Sequence, residues 1–378
     1  MAAFKTSAPS RTPLGFADER VAWTGVLPET QTPITLEAAG YHGRPVSFEL
    51  VAPWTAAPRE PDQPDDDSTG FGSALLILVL LVAAIVLARR NLLSGRADRR
   101  GAFRLASTLF FVYASFWLLL PHLSNLDQEM NRLFVYLGVG LFVGGAMYLV
   151  YLAIEPFLRR TWPTMLVGWS RALAGHLPDP VIGRDLLIGV VSGLLLAVLD
   201  QIGVLAPVWL SGSALMPMTP ETGALEHTRY FLLTISSTMN SALQNALLGV
   251  MMFTVLREIV KRGVSRLPFK RLSTDYTAAV VALILLVLLR LLDSGDSQGP
   301  YWLGAALNLA TTGVFLAVLL RYGLFATVVM YAVQFLVART PLTLNSNALY
   351  AGPAWAMLAV VFAIGLTGFW MARRGEAR

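Results

Sequence analysis

The chain has 378 residues, of which 55% are hydrophobic and only 14% are charged, and its formal net charge is +5. Soluble domains average about 45–50% apolar and 25% charged residues, so this composition excludes an ordinary soluble fold and predicts an all-α integral membrane protein. The absence of cysteine excludes disulfide scaffolds, thiolate metal sites and iron–sulfur clusters. The basic residues lie between the apolar segments rather than on one soluble face, so we predict no nucleic-acid partner.

Residues 1–70 are predicted to form a polar tail with one small structured piece. In TPITLEAAGYHGRPVSFELVAPW (residues 32–54), apolar and polar residues alternate on both sides of the turn Gly40 to Gly43, which predicts a β-hairpin. An isolated hairpin is marginally stable, so we expect this one to be the remnant or the edge of a larger unit. The PREPDQPDDDSTG stretch that follows is rich in Pro and Asp and is predicted to be a linker.

Residues 71–372 are predicted to form a polytopic helical bundle of about nine spans. Several of its apolar runs approach the roughly 20 residues that a helix needs to cross a 30 Å hydrocarbon core. Only Arg321 and Tyr322 separate the seventh run from the eighth. The nine runs are residues 72–88, 105–120, 134–155, 186–206, 233–256, 277–292, 302–320, 323–338 and 353–371.

Lys and Arg concentrate in alternate loops, and this pattern predicts the orientation of the chain in the membrane. Loops 89–104 and 257–276 hold six each, loop 156–185 holds four, and the segment from residue 372 onward holds three. The loops on the other side hold at most one each. Because basic loops stay in the cytoplasm, we predict a cell (inner) membrane protein with its N-terminus outside and its tail, residues 373–378, inside.

The fourth apolar run, around LLLAVLDQIGVL, contains an ionisable residue, Asp200. The sixth run, around LLVLLRLLD, places Arg290 at the same depth, because both runs cross from inside to outside. A charge at the bilayer centre costs about 2.5–3.5 kcal/mol on insertion scales, so such residues usually face the bundle interior and pair. We therefore predict an Asp200–Arg290 pair. The alternative is that Arg290 reaches the outer surface while Asp200 is hydrated there or protonated.

The fifth run adds polar side chains at the same level. Ser237, Asn240, Ser241 and Gln244 are spaced three and four residues apart, which places them on one helical face. We expect the amides of Asn240 and Gln244 to flank the predicted ion pair. Together with Asp200 and Arg290, these residues form the candidate intramembrane polar cluster.

Other recurrent features predict packing rather than chemistry. Gly140 with Gly144, and Gly189 with Gly193, have the spacing of small residues that lets membrane helices approach closely. The four histidines are scattered and lack metal-ligand spacing. HExxH, GxSxG and Walker sequences are absent. We predict no catalytic residue, no metal site and no cofactor.

The basic segment 155–185 has an amphipathic pattern. Trp162 and Trp169 are seven residues apart with leucines between them, which predicts an interfacial helix resting on anionic lipid. A solvated loop is the alternative. The cations interleaved with these tryptophans are Arg159, Arg160 and Arg171.

Segment 155–185 and GRDLLIGVVSG after it resemble the C-terminal membrane region of certain bacterial multi-span serine/threonine protein kinases. DERVAWTGVLPE, EAAGYHGRPVSFELVAPW, ARRNLLSGRADRRGAFRLA and PLTLNSNALYAG agree with the same region, so the likeness covers about residues 15–371. In those proteins a cytoplasmic kinase domain and one span come first. This chain has no GxGxxGxV strand, HRD loop or DFG, so no kinase residue carries over and we do not predict an enzyme.

The resemblance implies a non-catalytic membrane sensor or anchoring module, in which the hairpin region receives a signal and the basic loops face a cytoplasmic partner. It also implies that the chain is a kinase-less fragment or a stand-alone paralogue of such proteins. The alternative is a transporter or channel that uses the polar cluster around Asp200, because buried charges mark pathways. Against transport, the sequence shows no internal repeat and no paired broken helices. An intramembrane enzyme lacks any acid, base or metal constellation.

Overall fold

The computed structural model divides the chain into two compact units, Met1–Asp67 and Ser68–Arg378. The structure describes residues 4–11, 17–27, 32–55, 67–120, 125–175, 178–211, 228–264, 301–343, 345–348 and 351–373, together with positions 277, 280, 281, 284 and 288.

The first unit contains an antiparallel sheet whose strands are β1 (Lys5–Ser7), β2 (Glu19–Val26), β3 (Pro33–Tyr41) and β4 (Arg44–Val51). They lie in the order β1-β2-β3-β4. The predicted hairpin is confirmed as β3–β4, and its turn places His42 at φ 49° and Gly43 at φ 72°. The sheet continues through β2 to β1, so the hairpin is the edge of a larger unit.

A buried carboxylate ties the first residues of the chain to this sheet. Glu37 of β3 is only 7% exposed, and it accepts hydrogen bonds from the backbone N–H of Ser10 at 2.9 Å and of Arg11 at 3.0 Å. The Ser10 hydroxyl also donates to Glu37. Arg11 in turn pairs with Glu49 of β4 at 2.7 Å. The segment that follows β1 is thereby fixed across β3 and β4.

We expect acid to weaken the sheet unit through Glu37. Burial raises the pKa of Glu37, but the hydrogen bonds from Ser10 and Arg11 and the Arg11 charge lower it by more, so this pKa lies below its usual value of 4.5. A lowered pKa contributes stability above the unfolded value, and this contribution is lost as the pH falls through the folded value. Glu37→Gln should cost about 1–3 kcal/mol at neutral pH and remove this acid dependence.

Hydrogen exchange of β3 peptides, corrected for intrinsic pH effects, measures the change in local stability. Glu19→Gln on the exposed part of β2 is the matched control and should leave exchange within β3 unchanged. An acid dependence that persists in Glu37→Gln would contradict the assignment.

The second unit is helical. The helices continuous in the described part of this unit are α1 (Asp67–Leu93), α2 (Arg99–Leu119), α3 (Leu126–Thr161), α4 (Val167–Leu173), α5 (Pro180–Ser211), α6 (Thr228–Val264), α7 (Tyr301–Tyr322), α8 (Leu324–Ala338) and α9 (Ala351–Arg373). A one-residue break at Gly323 separates α7 from α8.

The chain is a multi-pass membrane protein. Among the described residues, six helices (α2, α3, α5, α6, α7 and α9) are long and apolar enough to cross a bilayer. Helices α1 and α8 coincide with the first and eighth predicted runs. The sixth run, 277–292, is described only at five positions, each of them helical. The total of nine spans therefore stays a prediction.

The outward surfaces of these helices are apolar. Phe111 of α2, Phe142 of α3 and Phe362 of α9 are 67%, 67% and 71% exposed, whereas Met251 and Phe253 of α6 are fully buried. Large phenylalanine side chains facing outward on several helices are suited to hydrocarbon rather than to water. This arrangement supports a location in the membrane.

Among the described helices, α8 is the most buried, and it packs against α5, α6 and α7. The predicted packing role of Gly189 and Gly193 is confirmed, since a Cβ on Gly189 would meet Val329 of α8 at 2.6 Å and one on Gly193 would meet Val333 at 2.7 Å. Between α2 and α3, a Cβ on Gly144 would meet the Ala106 carbonyl oxygen at 2.9 Å. These glycines bring helix backbones into direct contact.

Gly140 has the same role at the other end of its pair, because a Cβ there would meet the Tyr113 Cβ of α2 at 3.0 Å. Both members of each predicted glycine pair therefore face a neighbouring helix. Four glycines spaced in this way are a packing signal that the sequence alone identified.

The chain reverses direction at Gly323, between α7 and α8. Phe315 and Tyr331, each eight residues from Gly323, bring their ring centroids to 5.8 Å, which is possible only in a helical hairpin. The Gly323 N–H donates to the Leu319 carbonyl of α7 at 3.0 Å, and its own carbonyl accepts from the Thr327 N–H of α8 at 3.2 Å. One glycine therefore ends one helix and begins the next.

Helix α3 contains Pro156, and a side chain from α1 compensates for it. Proline has no N–H, so the Leu152 carbonyl four residues earlier loses its donor within the helix. The Asn91 amide donates to the Leu152 carbonyl at 2.9 Å and to the Ala153 carbonyl at 3.1 Å. Because Leu152 is fully buried, water does not reach that carbonyl and Asn91 supplies the missing donor.

The prediction of one interfacial helix within residues 155–185 is wrong. The chain continues α3 to Thr161, makes a 3₁₀ turn at Pro163–Leu166 and then forms the short helix α4. The residue before a proline avoids helical backbone, and Trp162 accordingly lies at φ −140° and ψ 68°. The spacing of seven between the tryptophans spans this break and does not define one face. Trp169 is only 6% exposed and packs into the protein.

Candidate functional site

Asp200 has a partner in the helical unit. It lies in the C-terminal half of α5, is half-buried, and accepts a hydrogen bond from the Gln334 amide of α8 at 2.7 Å. A carboxylate accepting an amide N–H is a charge-assisted hydrogen bond, roughly twice as strong as a neutral one. This contact joins α5 to α8. Arg290, the predicted partner, lies outside the described residues.

Helix α8 also reaches α6 through Arg339, the residue at its C-terminal cap. An Arg339 nitrogen donates to the Ser241 hydroxyl of α6 at 3.5 Å, and the guanidinium lies 5.5 Å from the Phe335 ring centroid. A cation at a helix C-terminus is favoured by the helix dipole. Gln334 and Arg339 are five residues apart, so they project about 140° apart around α8. One helix thus presents polar side chains to two neighbours.

The remaining members of the predicted cluster make other contacts. Gln244 donates to the Tyr113 hydroxyl of α2 at 3.4 Å, and Ser237 donates to the Thr234 carbonyl of its own helix at 3.0 Å. Asn240 is 5% exposed, and its side-chain oxygen has no hydrogen-bond partner among the described residues. The polar face of α6 therefore lies between α2 and α8, and its members are divided between them.

The described polar residues form a set of ties between helices rather than one constellation. Asp200 joins α5 to α8, Ser241 joins α6 to α8, and Gln244 joins α6 to α2. In the described part of the chain these side chains bond to different partners, because residues at one depth can project in any direction around their helices.

Gln334 and Arg339 were not predicted as site residues. Gln334 stands alone among apolar neighbours in VVMYAVQFLVA, and the depth argument that identified Asp200 applies to it equally. Arg339 follows the eighth apolar run directly, where the sequence indicates only a cation in a loop. The position of the Gln334 amide inside an apolar run was therefore the sequence signal that could have identified it as a partner of Asp200.

We expect a double-mutant cycle of Asp200→Ala and Gln334→Ala to give a coupling of about 1–2 kcal/mol. Hydrogen bonds between membrane helices reach about 1.7 kcal/mol in such cycles, and bonds to charged groups reach about 1.5–3 kcal/mol. Unfolding by titration with sodium dodecyl sulfate measures each variant. The matched control is Asp200→Ala with Gln244→Ala, whose amide bonds to α2, and it should be additive within about 0.5 kcal/mol. Additivity in both cycles would contradict the pairing.

The end of the helical unit at which α3 ends and α5 begins holds buried carboxylates whose guanidinium partners are exposed. Glu155 of α3 is 2% exposed and pairs with Arg159 at 2.5 Å, while the Arg159 side chain is 67% exposed. Asp185 of α5 is 1% exposed and pairs with Arg184 at 2.8 Å. Each acidic group is covered by protein while its cation faces outward. This end of the unit therefore presents positive charge.

Arg171 forms a similar ion pair, but its acidic partner is less buried than Glu155 and Asp185. It pairs with Asp179 at 2.7 Å, just before α5 begins. Burial raises the pKa of Asp179, but the hydrogen bonds from Arg171 and the Val181 N–H lower it by more, so the net pKa lies below the usual value of 3.8. Arg160, the remaining predicted interfacial cation, is exposed beside Arg159.

Trp162 stacks on protein instead of resting on lipid. The Arg257 guanidinium of α6 lies 4.5 Å from its ring centroid and 5.5 Å from that of Phe157. Phe253 stacks on the same indole with centroids 5.6 Å apart. Arg257 is only 5% exposed, and a desolvated cation–π contact is worth about 2 kcal/mol. These contacts hold the end of α3 against α6.

The described side chains hold no group of three or more His, Cys, Asp or Glu residues placed to bind a metal ion. The contacts above bind helices to one another, and they place no nucleophile beside a base.

No protein-family model, curated protein sequence or solved structure matches this chain.

Proposed function

We propose that the protein is a non-catalytic, membrane-embedded sensor or anchoring module of the cell membrane. Its N-terminal sheet unit is outside, its basic helix ends face the cytoplasm, and its helical unit makes about nine spans. The observation that carries the proposal is the use made of the intramembrane polar residues. Asp200, Ser241 and Gln244 each bond to a neighbouring helix, as expected of residues that fix helix positions.

The two-unit organisation supports the same proposal. A small β-sheet unit precedes a helical unit with six described helices of membrane-spanning character. An extracytoplasmic unit of this kind can receive a signal, and the basic inner end can meet a cytoplasmic partner. The resemblance to the membrane region of bacterial serine/threonine kinases points the same way.

Topology is tested by adding single cysteines to the cysteine-free chain. Cysteine at the exposed position Glu19 of β2 should react with a membrane-impermeant maleimide in intact cells, and cysteine at Arg96 between α1 and α2 should react only after lysis. Cysteine at the exposed position Asp127, at the start of α3, provides a second outside position. Labelling of position 96 in intact cells would overturn the orientation.

A transporter or channel is the second candidate. Within the part of the chain that the structure describes, the buried side-chain oxygens of Asn240 and Gln334 have no hydrogen-bond partner, and such groups suit a polar ligand. Proteoliposomes holding the purified protein separate the two functions. The sensor proposal expects no dissipation of H⁺, Na⁺ or K⁺ gradients above that of protein-free vesicles. Flux that disappears in Asp200→Asn while the helical content is retained would favour transport and overturn the sensor proposal.

Signal transmission is tested with the full chain. Spin labels on cysteines at Arg96 and Arg160 report the distance between two inner helix ends. The Glu37→Gln variant, which loosens the sheet unit, should shift this distance distribution in a sensor, and the control Glu19→Gln should not. Identical distance distributions in the spin-labelled protein without a further substitution, in Glu37→Gln and in Glu19→Gln would contradict signal transmission and leave anchoring as the function of the module.

A further inference from the structure

One face of α2 carries cations at the inner end and aromatic residues further along. Arg100 and Arg104 are exposed, and Phe103 and Phe111 are 68% and 67% exposed. The steps of three, four and seven residues place all four side chains on one side of the helix. At 1.5 Å per residue, the face runs about 16 Å from Arg100 to Phe111. It therefore joins a cationic headgroup level to the hydrocarbon without a break.

A second helix adds to the positive charge at this level. The Glu155 carboxylate of α3 lies close enough to both Arg159 and Asp98, the N-cap of α2, to interact with each charge. Arg159 is therefore held beside the first turn of α2. Because Glu155 is buried and the Arg159 side chain is two-thirds exposed, the acidic partner is hidden and the cation faces outward.

The end of α4 closes the inner boundary of this surface. An Arg104 nitrogen donates to the Leu173 carbonyl of α4 at 3.4 Å. The contact holds the Arg104 side chain at the helix end and leaves its remaining N–H groups available. Guanidinium groups bind phosphate oxygens in pairs, with a geometry that ammonium groups lack. We name Arg100, Arg104 and Arg159 the arginine patch.

We propose that the arginine patch and the Phe103–Phe111 face of α2 form a binding site for an anionic phospholipid of the inner leaflet. The guanidiniums of the patch bind the headgroup phosphate, and the exposed phenyl rings line the acyl chains. A soluble phosphate compound fits less well, because it has nothing to place on the apolar face that continues from the patch. Basic surfaces beside membrane helices on the cytoplasmic side recognise anionic headgroups in this way.

The proposed site lies on a different element from the lipid contact that the sequence predicted. The tryptophans of segment 155–185 turn into the protein, so the apolar part of the lipid contact moves to α2. Arg159 is the predicted lipid-contact residue that stays in it. The inference rests on the proposed orientation, and the maleimide experiment tests that orientation separately.

The experiment uses the full chain in vesicles and one introduced cysteine. Thr108 is exposed on the same face of α2, so a fluorophore on Thr108→Cys lies beside the expected acyl chains. Brominated phosphatidylglycerol and brominated phosphatidylcholine are compared as quenchers. The site predicts stronger quenching by phosphatidylglycerol. A fluorophore on Leu118→Cys, at the outer end of the same helix, should show no preference.

Arg100→Gln is expected to reduce the preference for phosphatidylglycerol roughly fivefold, and Arg100→Gln with Arg159→Gln roughly tenfold or more. Arg229→Gln, an exposed cation at the start of α6, is the matched control and should leave the preference unchanged. Arg100→Lys keeps the charge but loses the paired geometry, so its preference should lie between those of the unmodified protein and Arg100→Gln. Circular dichroism checks the helical content of each variant.

Three results would overturn the proposal. They are equal quenching by the two lipids at position 108, a preference that survives Arg100→Gln with Arg159→Gln, and a preference abolished by inorganic phosphate at constant ionic strength. The last result would identify a soluble anion as the ligand.

Discussion

Replacing Gly323 with alanine is expected to lower the free energy of unfolding by about 3 kcal/mol or more. Gly323 lies at φ 95° and ψ −171°, a region that only glycine occupies readily and that costs other residues about 1–3 kcal/mol. A Cβ there would also collide with the Met165 carbonyl in the turn before α4. Overpacking of this kind costs about 1–3 kcal/mol more. The hairpin of α7 and α8 therefore requires glycine at its turn.

The matched control is Gly313→Ala in the middle of α7. A Cβ on Gly313 meets no atom within 4 Å, and glycine within a helix is about 0.5–1 kcal/mol less favourable than alanine. Gly313→Ala should therefore be neutral or slightly stabilising. Both variants are measured by sodium dodecyl sulfate titration of the purified protein. Equal stabilities for the two variants would show that the Gly323 backbone is not strained.

Replacing Asn91 with leucine is expected to cost about 2–4 kcal/mol, because the Leu152 carbonyl freed by Pro156 then has no donor. An unpaired buried polar group costs about 1–3 kcal/mol in proteins, and the second hydrogen bond, to the Ala153 carbonyl, is lost with it. In a Pro156→Ala background, residue 156 supplies its own N–H to Leu152. The cost of Asn91→Leu should then fall by about 1–2 kcal/mol.

Asn245→Leu provides the comparison for this cycle. Asn245 is exposed on α6 and donates to the Ser241 carbonyl of its own helix at 2.8 Å. No proline interrupts α6, so that carbonyl keeps its helical donor. The variant should cost less than about 0.5 kcal/mol, and its cost should not depend on Pro156→Ala. An Asn91→Leu cost that is the same with proline and with alanine at position 156 would contradict the compensation.

These two sites and the polar ties share a design principle for helices in lipid. Water is absent from the hydrocarbon, so each backbone or side-chain polar group that leaves its regular partner needs another within the protein. The Asn91 amide replaces the N–H donor that α3 lacks at Pro156. The Gly323 N–H donates to the end of α7, and its carbonyl accepts from the start of α8. The Gln334 amide donates to Asp200. Residues with this role keep helices in fixed relative positions, which agrees with a sensor or anchoring module.

The sequence alone determined the class of the protein. Apolar runs of helical length, the predicted hairpin and the spacing of Gly189 and Gly193 are local signals, because hydrophobic period and turn chemistry depend on residues close in the chain. The structure confirmed these local predictions as helices and as the β3–β4 hairpin. Strands β1 and β2 escaped prediction, since ERVAWTGV lacks a clear alternation and is held in the sheet by pairing with β3.

Only the tertiary structure decided which polar residues meet. Depth in the membrane follows from position along a helix, but the direction of a side chain depends on how each helix is rotated against its neighbours. Gln334 therefore took the described contact with Asp200, and the polar face of α6 was divided between α2 and α8. For the same reason Trp162 and Trp169 turned inward, because Pro163 broke the helix that would have placed them on lipid.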